Sequence, residues 1–147
     1  MTPNEIISVL PYCKPFLFVD ELMHVDEKGA KGAYAFDGKS DFYKGHFKDA
    51  PVTPGVILTE CCAQIGVVSL GVYLLGNSIP KHLQIALSSS EMEFYLPVIP
   101  NDRVVVTSQK EYFRFHKLKC TVKMHNSEGK LVCKGAISGM FKVKADG

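Results

Sequence analysis

Between Tyr43 and Gln64 the chain reads Y-K-G-H-F-K-D-A-P-V-T-P-G-V-I-L-T-E-C-C-A-Q, which sets one histidine, His46, and one acid, Glu60, around a Pro54-Gly55 step. Proline and glycine ahead of an apolar run mark a helix start. A base, an acid and the open amides of a helix N-terminus are the parts needed to remove water from a 3-hydroxyacyl thioester. Histidine suits the base because it titrates near neutral pH without the large shift a lysine would need. Glu60 falls within the first two turns of the helix, and Gln64 follows at i+4 on the same face, in reach to orient the carboxyl or the departing water. In so apolar a helix the carboxyl is expected to be pushed up by desolvation, as an acid donor at neutral pH requires.

The elements that must hold these residues are legible in outline. The chain has 147 residues, 46% hydrophobic and 22% charged, which suits one compact soluble domain over residues 1–147. A net charge of +2 demands no acidic partner and argues against nucleic acid, although Lys110, Arg114, His116, Lys117 and Lys119 cluster locally. Five cysteines, two of them adjacent at Cys61-Cys62, with no C-x-x-C pair or matching Cys/His spacing, point to free thiols in a reducing cytoplasm and to no metal site. Thr2-Pro3-Asn4-Glu5 reads as a capped helix start rather than a signal peptide. Gly55 to Leu75 is apolar enough to be mistaken for a membrane span, but Glu60 and Gln64 inside it favour a buried core helix.

Strand-like runs occupy Phe16 to Val25, Lys31 to Phe36, Leu83 to Phe94, Arg103 to Phe115, Lys117 to His125 and Lys130 to Val143. Turns at Asp26-Glu27-Lys28-Gly29 and Asn126-Ser127-Glu128-Gly129 each offer a glycine for a left-handed position. A short helix, two strands, one long apolar helix and four strands predict an α+β fold in which an antiparallel sheet curls around a central helix.

Leu10-Pro11, Pro15-Phe16-Leu17-Phe18-Val19-Asp20, Gly45-His46-Phe47, Pro51-Val52-Thr53-Pro54-Gly55-Val56, Glu60, Ala63-Gln64 and Phe94 to Asp102 together resemble the FabZ-type 3-hydroxyacyl-acyl-carrier-protein dehydratases over nearly the whole chain. The resemblance implies the hotdog fold and a homodimer paired edge to edge, commonly in a trimer of dimers. It implies that His46 removes a C2 proton and Glu60 helps expel the C3 hydroxyl, the two facing each other from different subunits. It also implies no cofactor beyond the phosphopantetheine arm of an acyl carrier protein partner that carries the substrate. The FabA branch normally has aspartate at the position of Glu60, so dehydration without obligatory isomerisation is favoured. The Gly55 amide, presented by Pro54 at a positive helix end, is assigned to the enolate-like oxygen.

The chain departs from the family at Tyr12, Cys13 and Lys14, where His-Arg-Tyr is usual, at Thr53, where methionine is frequent, and at Tyr95-Leu96, commonly a basic pair. Lys14, Lys44, Lys48 or the Arg114 to Lys119 cluster would then steer an acidic carrier. These departures fit a specialised route, such as polyene or other secondary lipid synthesis, as well as fatty acid synthesis. His24, His82, His116 and His125 read as surface or sheet residues, and Cys61 and Cys62 as small core residues. Tyr43, Phe47, Phe94 and Tyr95 read as core, although apolar side chains near the site would suit an acyl tunnel, and Phe47 is assigned a supporting role. Two other readings stay open: a hotdog acyl thioesterase with Glu60 activating water, and a noncatalytic acyl-binding subunit.

Overall fold

The computed structural model of the protein describes residues 1–80 and 82–142. A short helix α1 (Pro3–Val9) is followed by strands β1 (Glu21–Asp26) and β2 (Gly29–Ala35) and a 3-10 turn at Asp41–Lys44. The central helix comprises α2 (Gly55–Ala63), a π-helical turn at Gln64–Val68 and α3 (Ser69–Leu75). Four strands complete the fold: β3 (Gln84–Phe94), β4 (Arg103–Arg114), β5 (Lys117–Asn126) and β6 (Leu131–Lys142). They join β1 and β2 in one sheet of order β1-β2-β4-β5-β6-β3, in which every pair is antiparallel. The expected helix and α+β plan are therefore present, and Val143, expected in the last strand, lies outside the described residues.

The sheet curls around the helix because one face of its middle strands is apolar. On β5, Leu118, Cys120, Val122 and Met124 alternate inward, and they pack with Val104 and Val106 of β4, Ile137 of β6 and Ile65, Leu70 and Val72 of the helix. Each such fully buried aliphatic side chain contributes on the order of 1.5–3 kcal/mol. The π turn is buried at all of its residues, which is why this stretch reads as membrane-like in sequence. Its extra residue per turn is accommodated by Ser69, whose backbone N–H and hydroxyl both donate to the Gln64 carbonyl, the hydroxyl at 2.7 Å.

Thr2 caps α1 as expected, its hydroxyl accepting from the Glu5 N–H at 3.2 Å. Two expectations are corrected. Phe16 to Val19 do not belong to the first strand; the N–H of Phe18 bonds a helix side chain instead of a neighbouring strand, and the strand begins at Glu21. Gly129 does adopt the left-handed conformation, at φ 77°, but Gly29 does not. The Asp26 carboxylate closes that first turn by accepting from the Lys28 and Gly29 N–H groups, and Gly29 is small because a Cβ there would meet the Ser108 carbonyl oxygen.

Among the described residues β3 is an edge strand of 11 residues paired with β6 alone, and it is exposed over most of its length. Where α3 packs on the sheet, close approach is decided at Gly71, where an added Cβ would lie 1.9 Å from the Phe141 ring. Gly71→Ala is expected to destabilise the protein by about 1–3 kcal/mol in urea unfolding, and adding Phe141→Leu to recover part of the loss by vacating that volume.

Candidate active site

His46 is held from four directions. Its N–H donates to Phe42 O at 3.0 Å, its carbonyl accepts from Val52 N at 2.9 Å, and its ring stacks on Phe47 with centroids 3.9 Å apart. Its Nδ1 lies 2.9 Å from Val52 O. A carbonyl oxygen only accepts, so the proton of the neutral ring sits on Nδ1 and the Nε2 lone pair is left for another proton. Among the described residues nothing bonds that Nε2.

Glu60 is half-buried on α2, and burial pushes its carboxyl above the usual carboxylate range against the smaller opposing pull of the Gln64 amide. Gln64 is fully buried with every polar atom engaged. Its Nε2 donates to Glu60 Oε2 and to Phe16 O, both at 3.0 Å, and its Oε1 accepts from Phe18 N at 2.7 Å. The segment from Phe16 to Phe18 is thus a strap laid over the helix, tightened by Cys61 Sγ donating to Phe18 O. Gln64 thus holds the Glu60 carboxyl through its amide.

Pro54 caps α2 in extended backbone, with no side chain closing the helix end. The Ile57 and Leu58 N–H groups donate back to Pro54 O, whereas those of Gly55 and Val56 have no acceptor among the described residues. The Cβ direction at Gly55 points at the Phe94 ring, 3.3 Å away, so glycine here admits an aromatic cover as well as an approaching ligand. Among the described residues no hydrogen bond or ion pair joins His46 to Glu60; the helix start stands between them in the chain.

Of the aromatics expected in the core, Tyr43 is there, but Phe47, Phe94 and Tyr95 are exposed, as is Val56. Among the described residues nothing covers them where α2 begins and β3 ends. Sequence reasoning missed Tyr12. Its ring neighbours Phe16, its phenol is pushed up by burial and by the Glu60 charge, and it lines a cavity of about 660 Å³ with Ile85, Ala86, Met140 and Phe141. Its position in the Pro11 to Pro15 segment was visible in sequence, but only the fold brings it beside Glu60 and the ends of β3 and β6.

An imidazole with a free Nε2, a carboxyl pushed up by burial and unpaired helix amides are brought onto one loop and one helix. Residues 10–137 match the family model described as a FabA-like domain. The chain belongs to the FabA-like hotdog family. Within that family it is similar to the 3-hydroxyacyl-[acyl-carrier-protein] dehydratase FabZ of Sinorhizobium fredii, at 32% identity over 97% of this chain and 91% of that protein. The dehydratase of the same name from Caldicellulosiruptor bescii is 29% identical over 96% of this chain and 97% of its own length. Among solved structures, the dehydratase heterocomplex ApeI:P of Xenorhabdus doucetiae superposes with a TM-score of 0.79 at 9% identity, covering 98% of this chain and 93% of that one. A hypothetical thioesterase with coenzyme A from Streptococcus pneumoniae TIGR4 superposes at 0.60 with 15% identity over 86% and 88%. Both likenesses establish the hotdog fold, and the long apolar helix is that fold's core helix.

Replacing Gln64 by leucine is expected to cost about 1–3 kcal/mol in denaturant unfolding, because the Phe18 N–H and Phe16 carbonyl lose their partner inside the protein. A carboxyl with a raised pKa keeps its proton to higher pH in the folded chain than in the unfolded one, so stability falls as pH rises from the ordinary glutamate range through the raised value. Glu60→Gln removes that loss. Thermal melts are expected to place the variant above the parent at mildly alkaline pH and to converge below the ordinary glutamate range.

Proposed function

We propose that the protein is a (3R)-hydroxyacyl-[acyl-carrier-protein] dehydratase that converts a 3-hydroxyacyl thioester to the trans-2-enoyl thioester. The observation that carries this reading is the fixed tautomer of His46, which leaves Nε2 free as a base. Nε2 takes the C2 proton, and the Gly55 amide at the uncapped helix end stabilises the negative charge that develops on the thioester oxygen. Glu60 gives its proton to the C3 hydroxyl as the C–O bond breaks, so that water leaves and the C2–C3 double bond forms. Transfer of the proton from His46 back to Glu60 restores both groups. Gln64 positions Glu60, Phe47 positions the imidazole and Pro54 starts the helix.

The working unit is a homodimer in which β3 pairs with its counterpart, and His46 of one subunit meets Glu60 of the other. Support comes from the free β3 edge, from exposed Phe94, Tyr95, Leu87 and Met140 along or beside it, and from the lack of a His46–Glu60 contact within a subunit. A further pairing into a trimer of dimers follows the family habit. The cavity beside Tyr12 opens at the start of that edge and suits an acyl chain. The acidic carrier, arriving with its phosphopantetheine arm in the cytoplasm, meets Lys14 and Lys48. Both are exposed and have no acidic partner among the described residues, whereas Lys44 pairs with Asp41 and Lys119 with Glu111. The pathway is fatty acid synthesis or a related polyene or secondary lipid route.

Incubation with a 3-hydroxyacyl carrier protein is expected to yield the 2-enoyl product by mass, and His46→Ala or Glu60→Gln to abolish it. Free acid would indicate a thioesterase, and unchanged bound substrate a binding subunit. Co-refolding the two dead variants is expected to restore about a quarter of the parent activity, since half the dimers are mixed and one of their two sites is intact. If both residues served one site from the same chain, the mixture would stay inactive. Lys14→Glu with Lys48→Glu is expected to raise KM several-fold for the carrier substrate and to leave a small thioester analogue unaffected.

A further inference from the structure

The hydroxyls of Tyr43 and Thr53 meet at 2.5 Å, and the two residues are only 6% and 4% exposed. Each is the other's sole side-chain partner among the described residues. Tyr43 belongs to the 3-10 turn that precedes His46, and Thr53 stands two residues before Gly55, so the bond ties the loop of the base to the start of the helix. The turn also holds His46 directly, because the carbonyl of Phe42 accepts from the His46 N–H.

The peptide unit between Val52 and Thr53 is the junction of this arrangement. Its carbonyl accepts from His46 Nδ1 at 2.9 Å, while its N–H donates to Val98 O at 2.8 Å on the far side. Its orientation therefore sets the imidazole plane and the direction of Nε2, and the Thr53 side chain is its nearest handle. Two buried hydroxyls bonded to each other add little net stability over an apolar pair of the same shape. What a short directed bond adds is a fixed distance and angle, and catalysis is sensitive to displacements of about 1 Å.

We infer that Tyr43 and Thr53 form a positioning pair that fixes the Val52 carbonyl, and through it the tautomer and aim of His46 relative to the Gly55 amide. The inference rests on the dehydratase reading for its effect on rate, but not for its effect on the histidine. The pair touches neither substrate nor the reacting atoms; it acts through the loop.

The test compares Tyr43→Phe, Thr53→Val, the double variant and Thr53→Ser in the full chain. Each single apolar substitution is expected to lower kcat about tenfold or more with KM nearly unchanged, and Thr53→Ser, which keeps a hydroxyl, to retain the parent rate. In the double variant Tm is expected to return toward the parent, because no buried hydroxyl is left unpaired, while kcat stays as low as in the singles. Recovery of kcat together with Tm would overturn the inference and make the pair a packing element, as would singles with unaltered kcat. Independently of turnover, ¹⁵N NMR of His46 is expected to show the Nδ1–H tautomer in the parent and in Thr53→Ser, and a mixture in Tyr43→Phe and Thr53→Val. An unchanged tautomer in those two would also overturn it. Absence of any water loss by the parent protein would defeat the dehydratase reading, and the NMR comparison would still decide the pair.

Discussion

The buried amide of Gln64 is the interaction on which the rest of the structure depends. It sits on the first residue of the π turn, where the central helix widens, and it has no access to water. Both of its N–H groups and its carbonyl are committed, two to the backbone strap at Phe16 and Phe18 and one to Glu60. A half-satisfied amide in that position would be costly, so the strap, the helix and the acid are bound to one geometry. This single side chain also explains why Phe16 to Val19 leave the sheet: their backbone groups are recruited by the helix before β1 begins.

His46 is fixed by a different device. His46 sits on a loop, where side chains are ordinarily mobile, yet its backbone and ring are bonded to Phe42 and Val52 and stacked on Phe47. The same Val52–Thr53 peptide leads into Pro54 and Gly55, so the ring and the open helix amides share a covalent frame. Acid and base are thus each rigid within their own element but are not joined to each other. In the proposed dimer a second chain would complete the site, and the exposed aromatics and free β3 edge lie where that chain would add its surface. An uncovered edge of this length is a liability in an isolated protein, and a pairing partner removes it.

Several assignments were legible without coordinates. The long apolar helix, the order of elements and five of the six strands follow from periodicity and turn residues, because these are local properties of neighbouring side chains. Glu60 stood out because few polar residues interrupt the apolar Gly55 to Leu75 run, and His46 because it lies just ahead of the Pro54-Gly55 step. The capped start of α1 was readable for the same reason, since Thr2 and Glu5 lie one turn apart.

What escaped the sequence depends on residues distant along the chain. That Gln64 is saturated by a strap 46 and 48 residues away, that Tyr12 reaches the acid's side of the helix, and that Phe47, Phe94 and Tyr95 lie outside the core were decided by the curl of the sheet. The tautomer of His46 likewise became definite only when folding brought the Val52 carbonyl to its ring. Residue types and spacing determined which chemistry was available to this protein, because acidity, basicity and helix starts are local. Tertiary structure decided which atom of each group was free to act, because that is set by who occupies the other hydrogen-bonding positions.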